Sequence, residues 1–183
     1  MFFGDKELIF DKPLIMGIIN LTPDSFSDGG KFLKKNSDRD INKNKVQKEL
    51  EVLENNGASF IDIGAESTRP GHKTISVQQE IDRLMPALEL ISKSNCVISI
   101  DTRKPEVMKE ALKYPVGLIN DVSALESLEA KEIIRDANIP ICVMHNRRVK
   151  SISIEADVKK FFKDKIQELT SFGISNENII LDP

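Results

Sequence analysis

The sequence predicts an α/β fold of the TIM (β/α)8 barrel kind, with about six of its eight βα units present. Short apolar runs alternate with amphipathic stretches, the runs are rich in β-branched residues, and each ends in polar side chains. The runs are Leu14–Ile19, Phe60–Ile63, Val97–Ile100, Gly117–Ile119, Ile141–Met144 and Ile179–Leu181. Such runs suit parallel strands buried on both faces.

Taken in order, the first run ends at Asn20 and opens a loop through Gly30 that is rich in Pro, Asp, Ser and Gly turn formers. It is long for a βα connection, and its lone aromatic, Phe26, suits a lid over an apolar ligand face. Val46, Leu50 and Leu53 then mark one helical stripe, stopped at Asn56-Gly57. The second run leads into Gly64-Ala65-Glu66-Ser67-Thr68-Arg69-Pro70-Gly71. An arginine among hydroxyls and glycines suits an oxyanion or a diphosphate, although a plain Arg69–Glu66 rim pair accounts for it as well. Ser76-x-x-Gln79 fits a capping box before the stripe Ile81, Leu84, Leu88, Ile91.

The third run meets Asp101, after which Pro105 suits the first turn of a helix carrying Val107, Met108, Ala111 and Leu112. The fourth run meets Asn120-Asp121 and the fifth His145-Asn146-Arg147. The longest stripe, Val158, Phe161, Phe162, Ile166, Leu169 and Phe172, closes at Gly173, and the sixth run meets Asp182. In a barrel these polar strand ends converge on one mouth. A doubly wound sheet also places ligands at strand carboxyl ends, but no Gly-x-Gly-x-x-Gly follows the first run. Taken singly, the polar residues have plain structural uses. Asp101-Thr102 can cap the next helix, Asn120-Asp121 can form an Asx-turn, and His145 onward can be a solvated loop.

Composition narrows the function. The 183 residues carry a net charge of −3, with 26 Lys and Arg against 29 Asp and Glu, which gives no basic footprint for nucleic acid. Aromatics are 5% and Trp is absent, so a base-stacking platform is not expected. No apolar run reaches the ~20 residues that span a bilayer, and Asp5, Lys6 and Glu7 interrupt any signal segment, so a cytoplasmic protein is expected. Cys96 and Cys142 each border an apolar run and read as buried, inert thiols. His72 and His145 lack metal-ligand spacing, which argues against zinc. Residues 1–183 are expected to form one barrel domain. A full barrel takes ~250 residues, so its C-terminal part is expected to be missing, with Asp182 prone to fraying.

Two long segments carry a family resemblance. Met16-Gly17-Ile18-Ile19-Asn20-Leu21-Thr22-Pro23-Asp24-Ser25-Phe26-Ser27-Asp28-Gly29-Gly30 and Gly57 through Gly71 resemble the two signature motifs of dihydropteroate synthase. Ile98–Thr102, Leu118–Asp121, Val143–His145 and Leu181–Pro183 follow in the family's order. The resemblance implies a TIM barrel that joins para-aminobenzoate to 6-hydroxymethyl-7,8-dihydropterin diphosphate, releasing diphosphate. It implies that Asp101, Asn120 and Asp182 grip the pterin while Met144 packs beside the ring. It implies that Asn20 holds Mg²⁺, that Ser67, Thr68 and Arg69 meet the diphosphate and para-aminobenzoate, and that Phe26 and Pro70 wall the aminobenzoate site. Transition-state binding falls to Arg69 and Asn20, with no acid–base residue required. The family's later lysine, arginine and histidine, and the helices of its homodimer, match no positions here. Two alternatives stand beside the synthase. One is a remnant that binds pterin at most; the other is a corrinoid-linked pterin methyltransferase domain, against which both long signatures argue.

Overall fold

A computed structural model describes residues 1–23, 31–67, 74–147 and 153–183. An antiparallel hairpin, β1 (Phe2–Phe3) and β2 (Lys6–Glu7), precedes the main sheet. Then follow β3 (Met16–Asn20), α1 (Lys43–Asn55), β4 (Phe60–Gly64), α2 (Val77–Ile91), β5 (Val97–Asp101) and α3 (Pro105–Ala111). The chain continues through β6 (Val116–Asp121), α4 (Leu128–Ala137), β7 (Ile141–Met144), α5 (Ile154–Phe172) and β8 (Ile179–Asp182). The six strands β3 to β8 lie side by side in chain order and pair in parallel. This is the expected α/β alternation, as a partial barrel. Among the described residues no helix is long and apolar enough to cross a membrane.

Period two along each strand sorts its side chains onto two faces. Ile19, Ile61, Ile63, Ile98, Ile100, Ile119, Ile141 and Val143 face the helices and join Val46, Leu50, Leu84, Leu88, Met108, Ile134 and Leu169 in the main core. Local chemistry sets the helix ends. Asn42, Ser76, Ser127 and Ser153 each accept a backbone N–H of the first turn, and Pro105 opens α3. Gly173 ends α5 at φ +103°, a conformation a Cβ would strain.

The inner face departs from the expectation of strands buried on both sides. Met16 and Ile18 are exposed there, as is Leu181 on the helix-facing side, because β3 and β8 form the two edges of the sheet. At the amino ends of the strands the inner face is closed by the hairpin. Phe3 packs with Phe60, Val97 and Leu118, its ring edge-on to Phe60 at 5.0 Å. Lys6 Nζ donates to the carbonyls of Ser94 and Cys96, and Gly117 lets the Phe3 backbone approach where a Cβ would stand 2.8 Å from its carbonyl oxygen.

Other differences are local. The hairpin strands are too short to show a period in the sequence. The sequence reading names no helix between the fourth and fifth runs; α4 fills that gap, its cap at Ser127 and its core contacts Ala130 and Ile134 being the available signals. Ser76 caps α2 as expected, but the Gln79 amide reaches Asp38 rather than closing a capping box. Cys142 is only half-buried, on the inner face. The His145 ring is not solvated: it sits edge-on to Phe161 at 5.0 Å, with Nε2 3.0 Å from Asp157. Asp182 is held in β8, opposite Met144, and its carbonyl accepts the His145 N–H at 2.9 Å.

Candidate active site

Towards the carboxyl ends of the strands the inner face turns polar. Asn20, Gly64, Asp101 and Asn120 stand in one register row across β3, β4, β5 and β6. Met144 and Asp182 pair with each other on β7 and β8. Five residues singled out in the sequence thus share one face and one end. Gly64 sits between two of them: a Cβ there would lie 3.2 Å from Asp101 Oδ2 and 3.4 Å from Asn20 Oδ1. Ser67 follows β4 and is half-buried. Phe26, Thr68, Arg69 and Pro70 lie outside the described residues, as does His72.

Beneath that row lie two residues that sequence reasoning missed. Asp62 is 6% exposed and Ser99 is fully buried. Ser99 Oγ donates to Asp62 Oδ1 at 2.5 Å, and Asn120 Nδ2 donates to Asp62 Oδ2 at 3.2 Å. Burial pushes the Asp62 carboxyl above its ordinary range, against these two hydrogen bonds. Asp101 receives no hydrogen bond from the described residues. Burial, and then the negative charges of Asp62, Glu80, Asp121 and Glu66, push its carboxyl up to about 8. An unpartnered carboxyl at the mouth is a ready acceptor for N–H donors of a ligand.

Asp121 does what an Asx-turn requires. Its Oδ1 accepts the Ser123 N–H and hydroxyl, and its Oδ2 accepts the Leu125 N–H. It is a scaffold residue beside the site.

A second network holds the loops around the mouth. Lys104 Nζ donates to Glu66, to Glu80 at 2.6 Å and to the Ile75 carbonyl at 2.8 Å. Arg103 donates to Glu66 at 2.8 Å, and Thr102 Oγ1 donates to Glu80 at 2.6 Å. Glu66 is nearly buried, which alone would raise its pKa, but the bonds from Lys104 and Arg103 hold it below the usual carboxylate range. Its described cationic partners are therefore on the β5–α3 connection. Buried Arg83 donates to the carbonyls of Ala65 and Asp38, tying the chain after β4 to the segment before α1. None of these partners is near in sequence, so no local pattern announces them.

Beside Met144 a cleft of about 560 Å³ opens, lined by Arg103, Val122, Arg147 and Phe161 among others. A larger cleft of about 820 Å³ lies instead against Met1, Phe2, Asn138 and Ser175, away from the polar row. Among the described residues no three His, Cys, Asp or Glu side chains gather as a metal centre. A single amide oxygen from Asn20 fits a Mg²⁺ ion held chiefly by ligand phosphates and water, since that ion takes few protein oxygens.

Comparison with known proteins agrees with this geometry. Residues 16–183 match the family described as pterin binding enzyme. The chain is 38% identical over 187 residues to the dihydropteroate synthase of Clostridium beijerinckii, covering 100% of this chain and 66% of that protein. It superposes on a crystal structure of Yersinia pestis dihydropteroate synthase with a sulfonamide drug at TM-score 0.87 and 34% identity, covering 96% of this chain and 64% of that one. A Burkholderia cenocepacia dihydropteroate synthase complexed with 7,8-dihydropteroate matches at TM-score 0.83 and 32% identity, covering 98% and 61%. The chain thus spans just under two thirds of the length of each. All three are synthases, which favours that reading over the corrinoid-linked methyltransferase.

Proposed function

The chain belongs to the pterin-binding enzyme family, and on that premise we propose that it acts in dihydropteroate synthesis. The reaction joins para-aminobenzoate to the 6-methylene carbon of dihydropterin diphosphate and releases diphosphate. The observation that carries the reading is the shared polar end of the inner face, where Asp101, Asn120, Met144 and Asp182 stand near the carboxyl ends of β5 to β8.

The chemistry follows from these side chains. The aminopyrimidinone edge of a pterin offers N–H donors, and Asp101 and Asp182 are carboxylate acceptors. With Asp101 at about 8, the empty pocket holds that carboxyl largely as the acid at neutral pH. Ligand N–H groups favour the carboxylate, so pterin binding releases a proton. Met144 supports the ring. The C–O bond to diphosphate then breaks with its electron pair leaving on oxygen. The aniline nitrogen donates its lone pair to carbon and loses a proton to solvent. Aniline is nucleophilic when neutral, so the chain orients the partners and excludes water rather than supplying a base. Ser67, Thr68 and Arg69 donate to the diphosphate and para-aminobenzoate, and Phe26 and Pro70 cover the latter. Mg²⁺ on Asn20 supplies charge neutralisation for the leaving diphosphate when bound. The same proposal takes in a cytoplasmic setting, consistent with the free thiols of Cys96 and Cys142, and a homodimer of the whole protein.

The test is turnover by the purified chain, with Mg²⁺ and both substrates, dihydropteroate being measured by chromatography. Formation is expected, with a loss of about 100-fold or more in Asp101→Asn. Folded protein that neither turns over nor binds a pterin overturns the reading. Asp101-dependent pterin binding without turnover supports the narrower one, a pterin-binding unit short of the full reaction.

A further inference from the structure

Asp62 has no place among the ligand-binding residues assigned above, yet it is the most elaborately held carboxylate on the inner face. Both of its oxygens are engaged by protein donors, Oδ1 by the Ser99 hydroxyl and Oδ2 by the Asn120 amide. It lies 37 residues from Ser99 and 58 from Asn120, so the arrangement is made by the sheet and not by a local turn. Ser99, fully buried, serves Asp62 among its described contacts.

A carboxamide has a donor end and an acceptor end, and here the donor end is committed. Only Nδ2 can donate to a carboxylate; turning the amide over would set Oδ1 against Oδ2 of Asp62, two acceptors with no proton between them. With Nδ2 anchored below, Oδ1 is the end of Asn120 left for the mouth, in the row that holds Asp101. Once ligand N–H groups have drawn Asp101 into its ionised form, the pocket edge formed by Asn120, Asp101 and Asp182 consists of acceptors.

We infer that Asp62, braced by Ser99, is a positioning residue that fixes Asn120 as an acceptor and thereby selects a 2-amino pteridine over a 2-oxo pteridine. The inference rests on the pterin-binding reading above and adds the origin of its selectivity. A pterin presents its 2-amino group and ring N–H to such an edge. A lumazine carries a carbonyl oxygen in place of the amino group, and that oxygen meets Asn120 Oδ1 as acceptor against acceptor. A buried polar group left without a partner is what makes such discrimination steep. Once Asp62 loses its charge, the Asn120 amide can turn its NH2 end upward and accommodate the 2-oxo ligand.

The experiment is equilibrium titration of the chain with 6-hydroxymethylpterin and with 6-hydroxymethyllumazine, for the parent, Asp62→Asn and Ser99→Ala. Thermal unfolding is followed alongside. The parent is expected to prefer the pterin, Asp62→Asn to lower that preference about tenfold, and Ser99→Ala to lower it less in the same direction. Equal weakening of both ligands, or an unchanged ratio in the folded variants, overturns the positioning role and leaves pterin binding intact. A parent chain that binds neither ligand overturns the pterin-binding reading itself, and this role with it. Should Asp62→Asn not fold, the Ser99→Ala ratio decides.

Discussion

The two ends of the inner sheet face are built by the same strands and behave differently. At the amino ends, Phe60, Val97 and Leu118 are covered by Phe3 from the hairpin. One or two inner positions further along β4, β5 and β6 stand Asp62, Ser99, Asp101 and Asn120. There no described residue hydrogen-bonds Asp101, and burial with neighbouring negative charge pushes its carboxyl up to about 8. One end has been filled for stability. The other presents polar side chains that a ligand with N–H donors can engage. The division matches a barrel, in which the carboxyl ends of the strands carry the site.

Substitutions can break this comparison, and the largest effect is expected at the rim of the polar end. Lys104→Met leaves Glu80 and half of the Glu66 pairing buried without their cation, and is expected to cost about 3–5 kcal/mol in denaturant unfolding. A cost below 1 kcal/mol would mean that water replaces the ammonium. At the closed end, Phe3→Ala is expected to cost about 3 kcal/mol through a cavity beside Phe60, with pterin affinity unaltered. Loss of pterin affinity at unchanged stability would show that the two ends are not independent.

Asp101→Asn sharpens the contrast through pH. The folded carboxyl titrates at about 8 and the unfolded one near 3.8, so between these values the native state binds the extra proton. Stability is therefore fully present below pH 4 and falls as pH rises through 8. The variant removes that fall and is expected to be more stable than the parent by about 1–2 kcal/mol at pH 9, seen as a higher Tm. Parallel pH profiles for the two proteins would refute the raised pKa. The smallest stability effect is expected for Gly64→Ala, about 1 kcal/mol, because its tightest contacts, at 3.2 and 3.4 Å, are with the side-chain tips of Asp101 and Asn20. Its pterin affinity should nevertheless drop severalfold in the same titration, whereas a change at the hairpin should not lower it.

Much of the architecture is legible in the sequence because it is local. Runs such as Val97–Ile100, the stripe Leu84, Leu88, Ile91, and stops such as Gly173 follow from side-chain shape and period within a few residues. So do the polar strand ends, and with them Asn20, Asp101, Asn120, Met144 and Asp182. The hairpin and α4 escape that reading because the former is too short for a period and the latter buries only Ala130 and Ile134. Asp62 and Ser99 escape it for another reason: each is one polar residue inside an apolar run, and nothing in the run says which face it takes.

Strand, helix and loop order in this chain was thus settled by neighbours along the backbone, whose propensities and periods act over a turn or two. Which carboxylates are satisfied and which are left for a ligand was settled by folding. Ser99 and Asn120 reach Asp62 from two other strands, and Lys104 reaches Glu66 and Glu80 from a third connection. Hydrogen bonds act over about 3 Å whatever the sequence separation, so the register of the sheet selects their partners.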